Sequence, residues 1–366
     1  MFSNLLFSGV LLVAPDIFAA KLCSESFTHL DFTAISQQQE RPKTRWTDSS
    51  SMQRNVERLR EICTQRHGSN CNLYGVFGPS SMMWEVSRIP FLALFAETEL
   101  YMQLAHPVGA QGVYDHSPRL LKDPIRRFQS TFSYLWKMTY GDFEESIRMS
   151  RLIHLQHSRV QGVLEESAGI YHAGEIYSAT DADALHWVHA THVFSLLRLY
   201  ETLERQLSPE EEDRFFSDAK LFGMMLGVPE ELLPNNASEF YRYFYGKLRS
   251  GELQFTGIAL RLEQHFRQLA YQYESKNRLL HFARRYSDFI TAMTLPQELS
   301  ETWGFHRSPM GVLGYEATVQ MLRLAYRHLP QNLRELPLYR IAMARIRGER
   351  PNPTDEQLQK KLTPSH

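Results

Sequence analysis

Two histidines three residues apart stand out in this sequence as side chains that could bind a metal or act in catalysis. The stretch "RMSRLIHLQHSRVQG" (148–162) places His154 and His157 in an otherwise helical pattern. On an α-helix their rings lie about 60° apart, on one side of the helix. His157 is near the centre of the more apolar face, between Ile153 and Val160, and His154 is toward its edge. The pattern therefore predicts that His157 is the more buried ring.

A second histidine set occurs in "ADALHWVHATHVFSLLRLYETL" (182–203), where His186, His189 and His192 follow one another at intervals of three. Successive rings step by about 60°, so the three do not converge comfortably on one ion. The spacing also differs from the i,i+4 pair of helical zinc sites. His189, like His157, lies on an apolar face. One neutral imidazole on such a face suits axial ligation of haem, and a histidine that satisfies a buried carbonyl is the structural alternative.

The histidines lie in a chain whose hydrophobic pattern is helical from Tyr74 onward. Proline, glycine or asparagine marks the breaks, and no alternating strand pattern of useful length appears. The sequence therefore predicts an all-α fold with a single multi-helix domain over residues 74–347. The predicted helices cover residues 83–105, 124–139, 142–166, 182–206, 208–226, 237–249, 253–289, 309–328 and 332–347.

Three further segments flank this domain. Residues 1–22 are apolar and resemble a signal peptide, but they equally fit a membrane-associating segment or a buried helix. We expect a polar linker with a short helix over residues 23–73 and a flexible tail over residues 348–366. The protein is exported if the first segment is a signal, and otherwise cytoplasmic or membrane-associated. Peripheral membrane contact is expected through the same segment.

Composition limits the partners and the metal chemistry. With 40 basic and 41 acidic residues, the net charge is −1. The chain therefore lacks the surplus of basic residues that is typical of nucleic-acid-binding proteins. The three cysteines, Cys23, Cys63 and Cys71, form neither a zinc spacing nor a CxxC pair. Cys63 and Cys71 are expected to form a disulfide if they meet an oxidising compartment, leaving Cys23 unpaired.

An ordered series of motifs resembles a known family. The most specific members are Q-L-A-H-P (103–107), H-x-x-V-x-G (157–162) and W-V-H-A-T (187–191). Together they resemble the catalytic domain shared by fungal MpaB-type oxygenases and bacterial latex-clearing rubber oxygenases, and the MpaB-like branch is the closer one. The resemblance covers roughly residues 74–345. The other matching segments are "FGPSSMMWEVSR" (77–88), "DPIRRFQSTF" (123–132), "LGVPEELLP" (226–234) and "LPQELSETWGF" (295–305).

The resemblance implies an all-helical, globin-like core that holds haem b and cleaves a carbon–carbon double bond of an isoprenoid chain with O₂. In the latex-clearing branch an arginine, and a threonine four residues on, precede the axial histidine. Arg127 and Thr131 have that spacing, and His157 falls at the position of the iron ligand. That branch also carries a lysine beside the threonine, where this chain has Ser130, and a catalytic glutamate that we do not assign.

Three more histidines are candidates at the site that the resemblance implies. His106, which ends a helix before Pro107, is expected to line the pocket or to cap carbonyls, and His116 to face the oxygen side from a loop. His189 is expected to support the cofactor or to form a pocket wall. For each of them a structural role is the alternative.

The leading hypothesis is a haem-dependent oxygenase that uses O₂ on a hydrophobic isoprenoid or lipid-like substrate. The second is a haem-binding protein without turnover, such as a sensor or carrier. The third is a non-haem, metal-dependent hydrolase that uses His154, His157 and His189. The fourth is a structural or membrane-associated helical protein whose histidines belong to the core.

Overall fold

A computed structural model describes residues 46–117, 122–274 and 278–362. The apolar segment 1–22, most of the predicted linker and Cys23 lie outside the described residues. The helices are α1 (Ser49–His67), α2 (Cys71–Tyr74), α3 (Met82–Ser87), α4 (Ala93–Leu104), α5 (Pro107–His116), α6 (Pro124–Tyr140), α7 (Phe143–His157), α8 (Ala182–Leu203), α9 (Pro209–Met225), α10 (Ala237–Arg249), α11 (Gly257–Glu274), α12 (Arg278–Thr294), α13 (Gln297–Ser300), α14 (Pro309–His328), α15 (Gln331–Arg334), α16 (Pro337–Arg347) and α17 (Pro353–Leu362). Two 3₁₀ turns cover Gly68–Asn70 and Glu230–Leu232, and two strands, β1 (Gln161–Val163) and β2 (Ile176–Ser178), form a small antiparallel sheet. The predicted all-α single domain is confirmed.

Local sequence signals explain where the helices that matter most begin. Asp123, Asp142 and Asp181 precede α6, α7 and α8, and each side chain accepts a hydrogen bond from a backbone amide of the first turn. A carboxylate at this position satisfies amides that have no partner inside the helix. Ser208 and Glu211 form a reciprocal capping box at the start of α9.

Helix α8 occupies the centre of the domain. Eighteen of its 22 residues are buried, and it packs against α3, α4, α9, α10 and α14. The indole of Trp187 donates a hydrogen bond to the carbonyl of Met102 at 2.8 Å, which ties α8 to α4. Phe244 of α10 stacks on the same indole, with ring centroids 5.4 Å apart.

Helices α6 and α7 lie side by side, joined by Gly141 and Asp142. The chain after α2 packs on this joint because Gly75 has no side chain: a Cβ there would lie 2.3 Å from the carbonyl oxygen of Gly141. A disulfide between Cys63 and Cys71 holds the preceding corner between α1 and α2. The pairing expected for an oxidising compartment is therefore the one in the structure.

The largest difference from the predicted elements follows His157. Helix α7 ends there rather than at residue 166, and the chain turns into β1, which pairs with β2 through Gln161↔Ser178 and Val163↔Ile176. Gly162, the central residue of β1, lies against the ring of Tyr177. A Cβ at this position would come within 2.7 Å of that ring. A three-residue strand is too short to show an alternating pattern in the sequence.

Other predicted boundaries also shift. The predicted helix 83–105 divides into α3 and α4 around Pro90, and the predicted helix 253–289 divides into α11 and α12. The tail expected to be flexible is helical from Pro353 to Leu362, where Asp355 is buried and pairs with Arg340. Within the described residues, no helix combines the length and the hydrophobicity needed to cross a membrane.

Replacing Gly75 with alanine should destabilise the fold more than replacing another glycine of similar backbone. Gly75 has φ +74° and meets the Gly141 carbonyl, whereas Gly68 has φ +56° and open space around it. We expect Gly68→Ala to cost about 1 kcal/mol in unfolding free energy from the left-handed backbone alone. Gly75→Ala adds a steric clash of about 1–3 kcal/mol. Urea unfolding measures the stability of both variants. Equal losses of unfolding free energy would contradict the close approach of Gly75 to the Gly141 carbonyl.

Candidate functional site

The candidate site is built around the imidazole of His157, the last residue of α7. Its Nδ1 atom is buried and has no hydrogen-bond partner among the described residues. Burial, with smaller contributions from the positive charge of Arg127 and from the neighbouring His154, lowers the pKa of His157 to about 4. The ring is therefore neutral at physiological pH, and a neutral imidazole carries one nitrogen lone pair of the kind that binds metals.

Arg127 and Thr131 lie on α6, which packs along α7. The Arg127 guanidinium donates a hydrogen bond to the Thr131 hydroxyl, and that hydroxyl donates to the Arg127 carbonyl at 2.9 Å. Ser130 donates to the same carbonyl at 2.8 Å. Because the charge of Arg127 acts on His157, the structure brings together the three residues that the family spacing selected.

The ranking of the two α7 histidines by burial was wrong. His154 is 7% exposed, whereas His157 is only half-buried. The helical wheel considers neighbours within one helix, but His154 is covered from elsewhere in the chain: its Nδ1 lies 3.4 Å from the position of a Cβ on Gly227. This Nδ1 atom also lacks a hydrogen-bond partner within the part of the chain that the structure describes.

The α8 histidines face three different environments, as their spacing predicts. His189 is 1% exposed, and its Nε2 hydrogen-bonds the carbonyl of Ala219 at 2.8 Å. His192 pairs through Nδ1 with Glu99 at 3.2 Å, and His186 stacks on Tyr243. In residues 46–117, 122–274 and 278–362, no three histidine, cysteine or acidic side chains are grouped to hold a metal ion.

His189 borders the same region as His154. A Cβ on Gly223 would lie 2.5 Å from Leu233 and 3.2 Å from the His189 ring, and Gly227, just past the end of α9, lies against His154. Burial lowers the pKa of His189 to about 4, and its Nδ1 has no hydrogen-bond partner among the residues described. Two glycines, one near the end of α9 and one just past it, therefore lie next to two neutral imidazoles.

His106 belongs to a second, charged cluster that the sequence did not reveal. Its Nε2 lies 3.1 Å from Asp183, which also accepts a hydrogen bond from Tyr171 at 2.8 Å. Lys247 donates to both oxygens of that carboxylate at 2.7 Å and to Glu252. Burial acts to raise the pKa of Asp183, but His106 and Lys247 outweigh it and hold the pKa far below its usual range. No local signal marks a buried lysine such as Lys247 on an amphipathic helix.

His116 lies at the surface. Its Nε2 contacts the carbonyl of Gln161 at 3.0 Å, and its ring meets Tyr177 edge-on. These contacts connect the end of α5 to the β1–β2 hairpin, so the observed contacts of His116 are those of a structural residue.

The family model described as "ER-bound oxygenase mpaB/B'/Rubber oxygenase, catalytic domain" matches residues 84–324. The chain belongs to this family. The family description is that of an oxygenase catalytic domain, the MpaB/Lcp domain. Helices α4 to α12 and the whole His157 site lie within the matched range.

Two mycobacterial relatives carry the name "uncharacterized protein". One protein of Mycobacterium tuberculosis and one of Mycobacterium bovis are each 26% identical to this chain over 154 residues. The match covers 41% of this chain and 58% of each relative, which is less than two thirds of their length. No solved structure matches the chain.

Acidification should unfold the MpaB/Lcp domain partly through its buried imidazoles. His189 titrates near pH 4 when folded and near 6.5 when unfolded, so the unfolded chain binds more protons between these pH values. Stability therefore falls as the pH drops through this window, by about 3 kcal/mol at most for this one residue. His189→Gln keeps a donor for the Ala219 carbonyl but removes the titration. Urea unfolding at pH 7 and pH 4.5 should show a smaller loss for the variant, and equal losses would contradict this origin.

Proposed function

We propose that this MpaB/Lcp domain binds haem b through His157 and uses O₂ to cleave or oxidise a carbon–carbon double bond of a hydrophobic isoprenoid or lipid-like substrate. The observation that carries the proposal is the neutral His157 imidazole beside Arg127, with a buried Nδ1 that no described residue hydrogen-bonds. A porphyrin supplies four nitrogen ligands, so one imidazole completes a site without a three-residue cluster.

Side chains of α6, the helix that packs along α7, fit the needs of haem. Arg127 offers a fixed positive charge, which suits pairing with a propionate. Thr131 orients that guanidinium through its hydroxyl. Along the same helix, Phe128 and Phe132 pack with ring centroids 4.3 Å apart and continue to Trp136. Such an aromatic surface suits a flat macrocycle and an apolar substrate.

The chemistry divides between the haem and the chain. When bound, the haem supplies the metal centre at which O₂ is activated. His157, which is neutral, would hold the iron, and Arg127 would supply a positive charge in the site. The buried aromatic side chains of α6 and α9 would help to keep water away from an apolar substrate. Phe132 and Phe222 contribute to this from the two helices, because each packs on His192 of α8.

A haem-binding protein without turnover is the second candidate. It is favoured by one observation: Ser130, beside Thr131, hydrogen-bonds its own helix instead of presenting the lysine of the latex-clearing branch. The hydrolase hypothesis has less support, because the described histidines His154, His157 and His189 face separate partners and form no ligand cluster.

The iron ligand is tested by the visible spectrum of the haem-loaded protein. We expect a Soret band in the wild type that weakens or shifts in His157→Ala, because the axial nitrogen is lost. His154→Ala is the matched control: it removes a neighbouring, more buried histidine on the same helix and should leave the band position unchanged. A Soret band unaffected by His157→Ala would move the ligand elsewhere, and no band after haem is supplied would refute the proposal.

The role of Thr131 is tested by O₂ uptake with an unsaturated isoprenoid and its saturated analogue. Thr131→Val removes the hydroxyl that Arg127 contacts, and we expect activity to fall about tenfold while the Soret band is retained. Thr139→Val is the control, since Thr139 makes the same type of bond to its own helix, to the Leu135 carbonyl at 3.0 Å. Equal losses of activity in the two variants would contradict this assignment. Equal O₂ uptake with the unsaturated compound and its saturated analogue would also contradict it.

A further inference from the structure

The most exposed apolar side chains of the described residues lie along one helix. In the part of the chain that the structure describes, the large hydrophobic residues with the highest exposed fractions are Met310 (81%), Leu324 (60%) and Leu313 (58%). All three belong to α14. Exposed apolar side chains scattered singly are common on protein surfaces, but a contiguous group of them marks an interaction surface.

Helical geometry places these side chains on a single stripe. At about 100° per residue, Met310, Leu313 and Leu324 fall on one side of α14, and Ala317 and Met321 fill the positions between them. The five positions, which we call the α14 stripe, lie within an arc of about 80° and extend about 21 Å along the helix. None of the five side chains carries a charge or a polar group that needs water.

The other side of α14 anchors the helix in the domain. Leu322 and Tyr326 are its buried residues, and the helix packs against α8 and α12. Tyr315 meets Phe289 of α12 edge-on, with ring centroids 6.4 Å apart. These contacts fix the helix in place and turn the α14 stripe away from the core.

Positive charge borders the α14 stripe at both ends. Arg307 precedes the helix, and Arg323 and Arg327 lie in its last two turns, whereas Glu316 is its one acidic residue. Each of the three arginines hydrogen-bonds a backbone carbonyl, and among the described residues none forms an ion pair with a carboxylate. An uncharged apolar stripe with basic residues at its margins is typical of helices that lie in a membrane interface, where the arginines meet anionic headgroups.

A second copy of the chain fits this surface less well. Antiparallel pairing of two stripes about Ala317 would match Met310 with Leu324, but the same register brings Arg307 of one copy next to Arg327 of the other. Parallel pairing brings each arginine next to its own counterpart. Like charges that face each other across an interface disfavour both arrangements. The five residues of the stripe also fall short of the roughly 20–30 residues that each partner contributes to a standard interface.

We propose that α14 docks the protein peripherally on the surface of an anionic lipid bilayer. The α14 stripe enters the boundary between headgroups and acyl chains, about 5–10 Å deep, and the arginines stay at the headgroups. This docking is distinct from the membrane contact expected through residues 1–22, because it uses a helix anchored in the folded domain. It does not depend on haem or on turnover, and it brings the protein to the phase in which hydrophobic molecules dissolve.

Co-sedimentation of the purified full chain with phosphatidylcholine vesicles, with and without phosphatidylserine, tests this surface. The wild type should bind the anionic vesicles more tightly, and added salt should reduce the difference. The double variant Leu313→Gln/Leu324→Gln should lower the vesicle partition coefficient about tenfold, because it removes apolar area that docking buries. Arg327→Gln should lower partition into the anionic vesicles about fivefold and leave partition into the neutral vesicles unchanged.

Leu260→Gln is the matched control. Leu260 of α11 is also exposed, at 42%, but the neighbouring Arg261 pairs with Glu165 and Glu166. This surface therefore lacks uncompensated positive charge, and its substitution should leave vesicle binding unchanged. Met310→Gln, at the most exposed position of the stripe, is an independent variant that should also weaken binding if the double variant does not fold.

Vesicle binding that survives every α14 substitution would overturn the proposal and assign the contact to another part of the chain. Equal losses in Leu260→Gln and in the α14 variants would overturn it as well. Sedimentation velocity of the same samples without lipid tests the second copy: a dimer that dissociates in the double variant, in a protein that binds no vesicles, would assign the stripe to self-association. Vesicle binding through α14 in a protein without a Soret band would retain this proposal and refute only the haem assignment.

Discussion

The near-complete burial of α8, with 18 of its 22 residues buried, is the constraint on which the rest of the structure depends. A helix with so little exposed surface needs partners for its polar side chains, because leaving one unsatisfied costs about 1–3 kcal/mol. His192 finds Glu99 on α4, His189 finds the Ala219 carbonyl on α9, and Trp187 finds the Met102 carbonyl. Each of these bonds fixes one neighbouring helix. The packing of the domain around α8 is therefore specified by polar contacts as well as by apolar surface.

The pairing of α6 with α7 imposes a second constraint, which acts through charge. Arg127 lies close enough to His157 to disfavour its protonated form, and burial acts in the same direction. A protonated imidazole is a poor metal ligand, so this arrangement keeps the ring competent at neutral pH. The joint between the helices is held in turn by Gly75 against Gly141. A backbone contact at the joint between α6 and α7 thus helps to fix the two helices that carry the proposed site.

The sequence predicts the parts of this structure that are local. The helical class and the separation of the α8 histidines follow from short-range patterns, and the structure shows them. The relation between Arg127 and His157 came from family spacing, because no periodicity joins residues on two helices. The burial of His154 and the ion pair of Lys247 were missed for a single reason. Both depend on chain segments distant in sequence, which a helical wheel does not contain.

Satisfied and unsatisfied polar groups separate two kinds of buried chemistry in this domain. Asp183 has hydrogen bonds from Tyr171 and Lys247 and a contact with His106, so its charge is compensated within the fold and it joins α5, α8 and α10. His157 is neutral and keeps a buried nitrogen that no described residue hydrogen-bonds. A fold gains nothing by burying such an atom for its own sake. The compensated cluster is therefore complete within the fold, whereas His157 is the residue that the proposed haem would use.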